Sequence, residues 1–165
     1  MSNRTGLFVL LAIVGLGLAL LGHHRTIGAK RTDLYLHDLD GNSHRLSEFD
    51  GKLLLVNFWA PWCPTCRDEM PVLDHLRDSL ADKGFEVVGI GIDDPGLIKA
   101  YAAAHPVHYP LMLNDGPPYD PQRIYGNAQG ILPYSVLIGR NGKVLAVYAG
   151  GFNEAGWNDW LAPYL

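Results

Sequence analysis

Residues 56–66 read Val-Asn-Phe-Trp-Ala-Pro-Trp-Cys-Pro-Thr-Cys, an apolar run that leads straight into a Cys-x-x-Cys pair. Leu53 to Phe58 has the character of a buried strand. A helix that starts at Cys63 places that thiol among the free N–H groups of its first turn. Cys66, three residues on, shares the same helical face at a separation compatible with a disulfide. This junction holds Cys63 as a thiolate and lets the pair move between dithiol and disulfide. Lowering a thiol pKa from about 8.5 to about 7 takes roughly 2 kcal/mol. A partly buried helix N-terminus supplies up to about 2 kcal/mol. The helix therefore accounts for most of the activation, and Pro64-Thr65 adds no histidine to it.

Other uses of two cysteines fit less well. A structural zinc site wants four ligands, and Cys63 and Cys66 are the chain's only cysteines. The nearest histidine, His75, has no partner at ligand spacing. A purely structural disulfide across so short a loop stabilises little. Inert core thiols do not account for the strand–turn–helix setting. His37, His44, His75, His105 and His108 show no metal-ligand spacing either, so neither a metal nor another cofactor is expected.

The N-terminus points to a membrane. Met1 to Arg31 contains no acidic residue, and Gly6 to Gly22 is a run of 17 apolar or small residues. As a helix it would span about 25 Å, at the short end for a bilayer but longer than the usual hydrophobic region of a cleavable signal. The expected organisation is a tail (1–5), a transmembrane signal anchor (6–22), a linker (23–32) and one domain (33–165). Of 13 Lys and Arg, four lie in the first 31 residues, leaving 9 against 17 Asp and Glu, a net of −8 for the body. An acidic body argues against nucleic acid and anionic lipid as partners. By positive charges alone, Arg25, Lys30 and Arg31 outweigh Arg4 and place the body in the cytoplasm.

Along the domain, Leu34–His37 and His44–Leu46 flank Asp40-Gly41 as a small hairpin, and Ser47 caps a helical turn. The helix after Cys63 sets Leu73, Leu76 and Leu80 on one face, with a kink at Pro71 and an end at Gly84. Phe85–Ile92 is a second buried strand, parallel to the first. Asp94-Pro95 opens a helix that ends near His105-Pro106. Tyr109–Leu113 reads as a strand and Asp120–Tyr125 as a helical turn. Ser135–Gly139 and Lys143–Tyr148 flank Arg140-Asn141-Gly142, a hairpin signal. Phe152–Leu165 closes the chain as a helix with Trp157, Trp160 and Leu161 in the core.

This order, with Cys-x-x-Cys after the first core strand, resembles thioredoxin over residues 34–165. Asn57-Phe58-Trp59-Ala60, Trp62-Cys63-Pro64-Thr65-Cys66, Glu69-x-Pro71, the hairpin and an inserted segment narrow the likeness to the membrane-anchored TlpA/ResA-like thiol–disulfide oxidoreductases of bacteria. The string from Trp62 to Arg67 also looks like the DsbE/CcmG branch of cytochrome c maturation. The resemblance implies an α/β, three-layer thioredoxin-like fold, a central mixed sheet flanked by helices. It implies a periplasmic or extracytoplasmic domain on a single-pass inner-membrane anchor, which overrides the charge count. It also implies a cis Leu132–Pro133 bond facing the cysteines, with preceding backbone groups free to pair with substrate. Trp62, Pro64, Leu132 and Pro133 would thus bind substrate. The span from Tyr125-Gly126 to Pro133 is about two residues longer than usual.

Glu69 stands one turn beyond Cys66. In the family a glutamate here exchanges a proton with the buried thiol. Asn57 stands where thioredoxin has its buried aspartate, so the resemblance implies Glu69 as the replacement base; the alternative is an early-helix acid that only favours the helix dipole. The catalytic set is therefore Cys63, Cys66 and Glu69, and the expected activity is reduction of disulfides in substrate proteins, with electrons returned by a membrane donor of the DsbD/CcdA type. Alternatives are a dedicated apocytochrome c reductant and, in another class, a copper-binding or chaperone module using the two thiols.

Overall fold

The computed structural model describes residues 26–114 and 120–165. The expected anchor (6–22) lies outside the described residues, and among these no helix is long and apolar enough to cross a membrane. In chain order the elements are β1 (Tyr35–Asp38), β2 (Ser43–Arg45), β3 (Leu53–Trp59), α1 (Pro64–Ser79), β4 (Phe85–Gly91), α2 (Pro95–Ala104), β5 (Leu111–Leu113), α3 (Pro121–Ile124), β6 (Tyr134–Ile138), β7 (Val144–Ala149) and α4 (Glu154–Leu161). The seven strands form one mixed sheet in the order β2-β1-β5-β4-β3-β6-β7. β4 runs parallel to β3 and β5, and the remaining pairs are antiparallel. The inserted segment is the α2–β5 unit, whose strand slots between β4 and β1.

β3 is buried along its whole length because both faces of the sheet are covered. Leu53, Leu55 and Trp59 enter one apolar cluster, and Leu54, Val56 and Phe58 enter the other. The alternation of strand side chains puts Asn57 on the same face as Leu55 and Trp59. The three long helices all contribute to that first cluster, through Leu73 and Leu76 of α1, Ile98 of α2, and Trp157 and Leu161 of α4. The expected three layers are therefore lopsided. The opposite face is closed by Leu34, Leu36, Leu46 and Tyr125, from the N-terminal hairpin region, a 3-10 turn at Leu46–Phe49 and the residue after the short α3.

Three boundaries differ from the sequence reading. Cys63 caps α1 instead of opening it, and Pro64 takes the first helical position, where its missing N–H costs nothing. The helix passes through Pro71 and ends at Ser79, and a separate 3-10 turn (Ala81–Lys83) carries the chain to Gly84 at φ 70°. At the C-terminus the Asn153 side chain accepts from the Gly156 N–H at 2.9 Å and starts α4. Pro163 then ends the α-helix, and Ala162–Tyr164 is 3-10.

The described part of the expected linker is laid on the β6–β7 hairpin. The Gly28 N–H donates to Val144 O, the Val144 N–H to Ala29 O, and the Arg31 N–H to Gly142 O. Arg31 itself is buried and pairs with Asp50 at 2.6 Å and Asp33 at 3.5 Å.

Candidate active site

The site lies where β3 ends and α1 begins. Cys63 and Cys66 form a disulfide with Cα atoms 5.3 Å apart, so the structure shows the oxidised state. Cys63 Sγ accepts a hydrogen bond from the Cys66 N–H at 3.2 Å, one of the helix N-terminal donors that would otherwise lack a partner. The same geometry favours a thiolate on Cys63 after reduction. Cys66 is 1% exposed and Cys63 5%. The order of burial is the expected one, but the margin is small. Trp62, immediately before the pair, is 65% exposed.

The buried residues of α1 are Cys66, Glu69, Met70, Leu73 and Leu76, a single stripe at helical spacing. Glu69 therefore sits inside the apolar stripe, only 2% exposed. Burial is the main effect on its carboxyl and pushes the pKa up to about 7. Two donors hold it there and partly offset the shift: the Phe152 N–H at 3.4 Å and Asn57 Nδ2 at 3.3 Å. The Trp157 indole N–H also favours the anion, but makes no hydrogen bond of ordinary geometry. Asn57 Nδ2 also donates to Ser135 Oγ at 3.0 Å. β3, through Asn57, and the segment before α4 thus meet α1 at one carboxyl whose pKa lies near neutrality, and β6 holds Asn57 through Ser135.

Leu132–Pro133 is cis and leads into β6, the strand beside β3. Pro133 O accepts from the Gly150 N–H at 2.8 Å. Gly151 fills the space between the head of α1 and Pro133. A Cβ built there would stand 2.6 Å from Thr65 Cγ2 and 3.6 Å from Pro133 Cγ. The structure thus brings Cys63, Pro64, Cys66 and Glu69 together on α1 and sets the Pro133 edge against its first turn. Trp62 and Leu132 flank that arrangement in the chain.

Several contributors escape a reading of the sequence. Ser135, Phe152 and Gly151 carry no local signal, because each becomes relevant only through a partner more than 75 positions away. Asn127 is a fourth. Its amide grips the backbone of Ile131, just ahead of the cis bond, at 2.8 and 2.9 Å.

The sequence matches the family model described as Redoxin over residues 26–159. The chain belongs to the Redoxin family. The chain is 30% identical over 151 residues to the thiol-disulfide oxidoreductase ResA of Geobacillus thermodenitrificans, with 86% of this chain and 83% of that protein covered. It is 31% identical over 121 residues to ResA of Bacillus anthracis, covering 72% and 67%. Among solved structures it resembles a Chlorobium tepidum protein assigned as thiol:disulfide interchange protein DsbE, with a TM-score of 0.71, 31% identity, and coverage of 84% and 98%. A second Chlorobium tepidum structure, a thiol:disulfide interchange protein of the thioredoxin family, gives a TM-score of 0.69 at 26% identity, covering 83% and 96%. This Redoxin is a TlpA/ResA-like, thioredoxin-fold thiol–disulfide oxidoreductase, and Cys63 and Cys66 are its Cys-x-x-Cys pair.

Proposed function

We propose that the protein is a membrane-anchored, extracytoplasmic reductase of protein disulfides. The observation that carries the thiol–disulfide part of this reading is the Cys63 sulfur capping α1, with Glu69 buried on the same helix and its pKa pushed up to about 7. In the reduced form the Cys63 thiolate attacks a substrate disulfide. One S–S bond forms between Cys63 and the substrate, the substrate S–S bond breaks, and the departing sulfur takes up a proton. Glu69 then accepts the Cys66 proton, directly or through one water. The Cys66 thiolate attacks Cys63 Sγ, the Cys63–substrate S–S bond breaks, and the departing substrate sulfur takes up the proton held by Glu69. The substrate has gained two electrons and two protons, and the protein is left in the oxidised state seen here. A membrane dithiol donor of the DsbD/CcdA type would restore the dithiol.

Thiol exchange is tested by insulin reduction, which should disappear in Cys63→Ser. Metal binding retained by a chain with no such activity would favour a copper module instead. Location is tested separately. Gly6 to Gly22 carries no charge, so the intact chain should resist carbonate extraction, and a reporter fused after Leu165 should be active only outside the cytoplasm. A reporter active in the cytoplasm would mean that Arg25, Lys30 and Arg31 set the topology.

A second reading, a dedicated reductant of apocytochrome c, is favoured by the Trp62–Arg67 string together with the likeness to the DsbE-assigned structure. Trapping with Cys66→Ala separates the two by the identity of the proteins captured.

A further inference from the structure

The loop from Gly126 to Leu132 joins the α3 region to the cis-proline edge and contains no regular secondary structure. A loop of that kind is ordinarily among the less stable parts of a fold. Here one buried side chain ties it down. Asn127 is 2% exposed, and its Nδ2 donates to Gln122 Oε1 and to Ile131 O, both at 2.8 Å. Its Oδ1 accepts from the Ile131 N–H at 2.9 Å. Three of the four hydrogen bonds an asparagine amide can make are satisfied, two of them on the two main-chain groups of a single residue. The Asn127 main chain is fixed as well, its N–H donating to Gln122 O at 3.0 Å.

The clamp decides which side chain is presented. Leu132 packs against both apolar clusters, whereas Ile131 is left 47% exposed. Ile131 is β-branched and stiff at χ1, and its backbone is gripped from both sides, so little freedom remains to be lost when something packs on it. It stands two residues before Pro133, and Pro133 meets the head of α1 across Gly151. Trp62, next to Cys63 in the chain, is a further exposed large apolar side chain.

We propose that Ile131 is a specificity-determining residue, positioned by Asn127, that selects substrates as extended segments with an apolar side chain beside the reacting cysteine. This rests on the reading of the protein as a reductase of protein disulfides.

The test uses the reduced full-length chain in detergent micelles and three disulfides. Two are symmetric peptide disulfides that differ only in carrying Leu or Ser beside the cysteine, and the third is bis(2-hydroxyethyl) disulfide, which has no peptide backbone. The wild type should prefer the Leu peptide roughly tenfold in kcat/KM, the scale of burying about half an isoleucine, with the difference in KM. Ile131→Ser should level that preference, and Asn127→Ala should weaken it while remaining folded by circular dichroism. Ile131→Ser should leave turnover of the small disulfide unchanged. A preference that survives Ile131→Ser overturns the proposal, as does a parallel loss on bis(2-hydroxyethyl) disulfide, because either outcome puts the effect elsewhere. A wild type that reduces the small disulfide but neither peptide overturns the protein-disulfide reading itself, and this proposal with it.

Discussion

Asn57 Nδ2 lies 3.3 Å from Glu69 Oε2, so the buried carboxyl of α1 faces a neutral amide on β3. An amide stabilises the carboxylate by one hydrogen bond and cannot itself exchange a proton. Of these two facing groups only Glu69 can titrate. Asn57→Asp would put a second carboxyl at that distance, and two acids so close retain a proton to higher pH. Denaturant unfolding should show Asn57→Asp losing more stability than the wild type between pH 5 and pH 8.

Glu69 has a pH signature of its own. Its folded-state pKa, about 7, is raised above the ordinary 4.5, so the folded chain holds a proton that the unfolded chain has released. Stability from this group is therefore highest below about pH 4.5 and falls as pH rises through about 7. The full loss is about 3 kcal/mol. Glu69→Gln should abolish that slope, being more stable than the wild type at pH 8, with a smaller gap at pH 5. The same variant removes the proposed proton acceptor, so thiol–disulfide exchange should slow by roughly 10–100-fold, at or just below the general-base range. Unchanged exchange in a folded Glu69→Gln protein across pH 5–8 would leave Glu69 as a structural acid only.

Gly151 separates Thr65 from Pro133. Its φ is not in the left-handed region, so alanine meets no backbone objection there and acts only through its Cβ, 2.6 Å from Thr65 Cγ2. Gly151→Ala should wedge the head of α1 from the proline edge and lower insulin reduction roughly tenfold, within the about 1–3 kcal/mol usual for overpacking. Thr65→Ser removes the methyl that clashes. The double variant should regain most of the lost activity, and a failure to do so would place the effect elsewhere.

What the sequence announces and what it conceals divide along local and long-range lines. The β3–α1 junction is legible because its signals lie within about a dozen residues: an apolar strand, Trp62, and a cysteine followed by proline at the first helical position. Glu69 is legible too, since spacing alone sets it on the stripe with Cys66 and Leu73. The lopsided layering is not, because the apolar pattern of α2 does not say which face of the sheet it covers. Ser135 becomes part of the site only when β6 pairs with β3 and brings it opposite Asn57. Residues 28–31 read as a linker because glycine, lysine and arginine look solvated, yet the backbone of this segment pairs with the β6–β7 hairpin and Arg31 is buried against Asp50.

In the proposed mechanism Cys63 attacks substrate and Cys66 resolves the intermediate. The most direct measurement is the capture of mixed disulfides in cells that express each single-cysteine variant at equal levels. Cys66→Ala keeps the α1-capping sulfur and lacks the resolving thiol, so it should accumulate covalent complexes with substrate proteins that dissolve on adding dithiothreitol. Cys63→Ala should accumulate few or none. Complexes that form with Cys63→Ala and not with Cys66→Ala would reverse the two roles and contradict the mechanism.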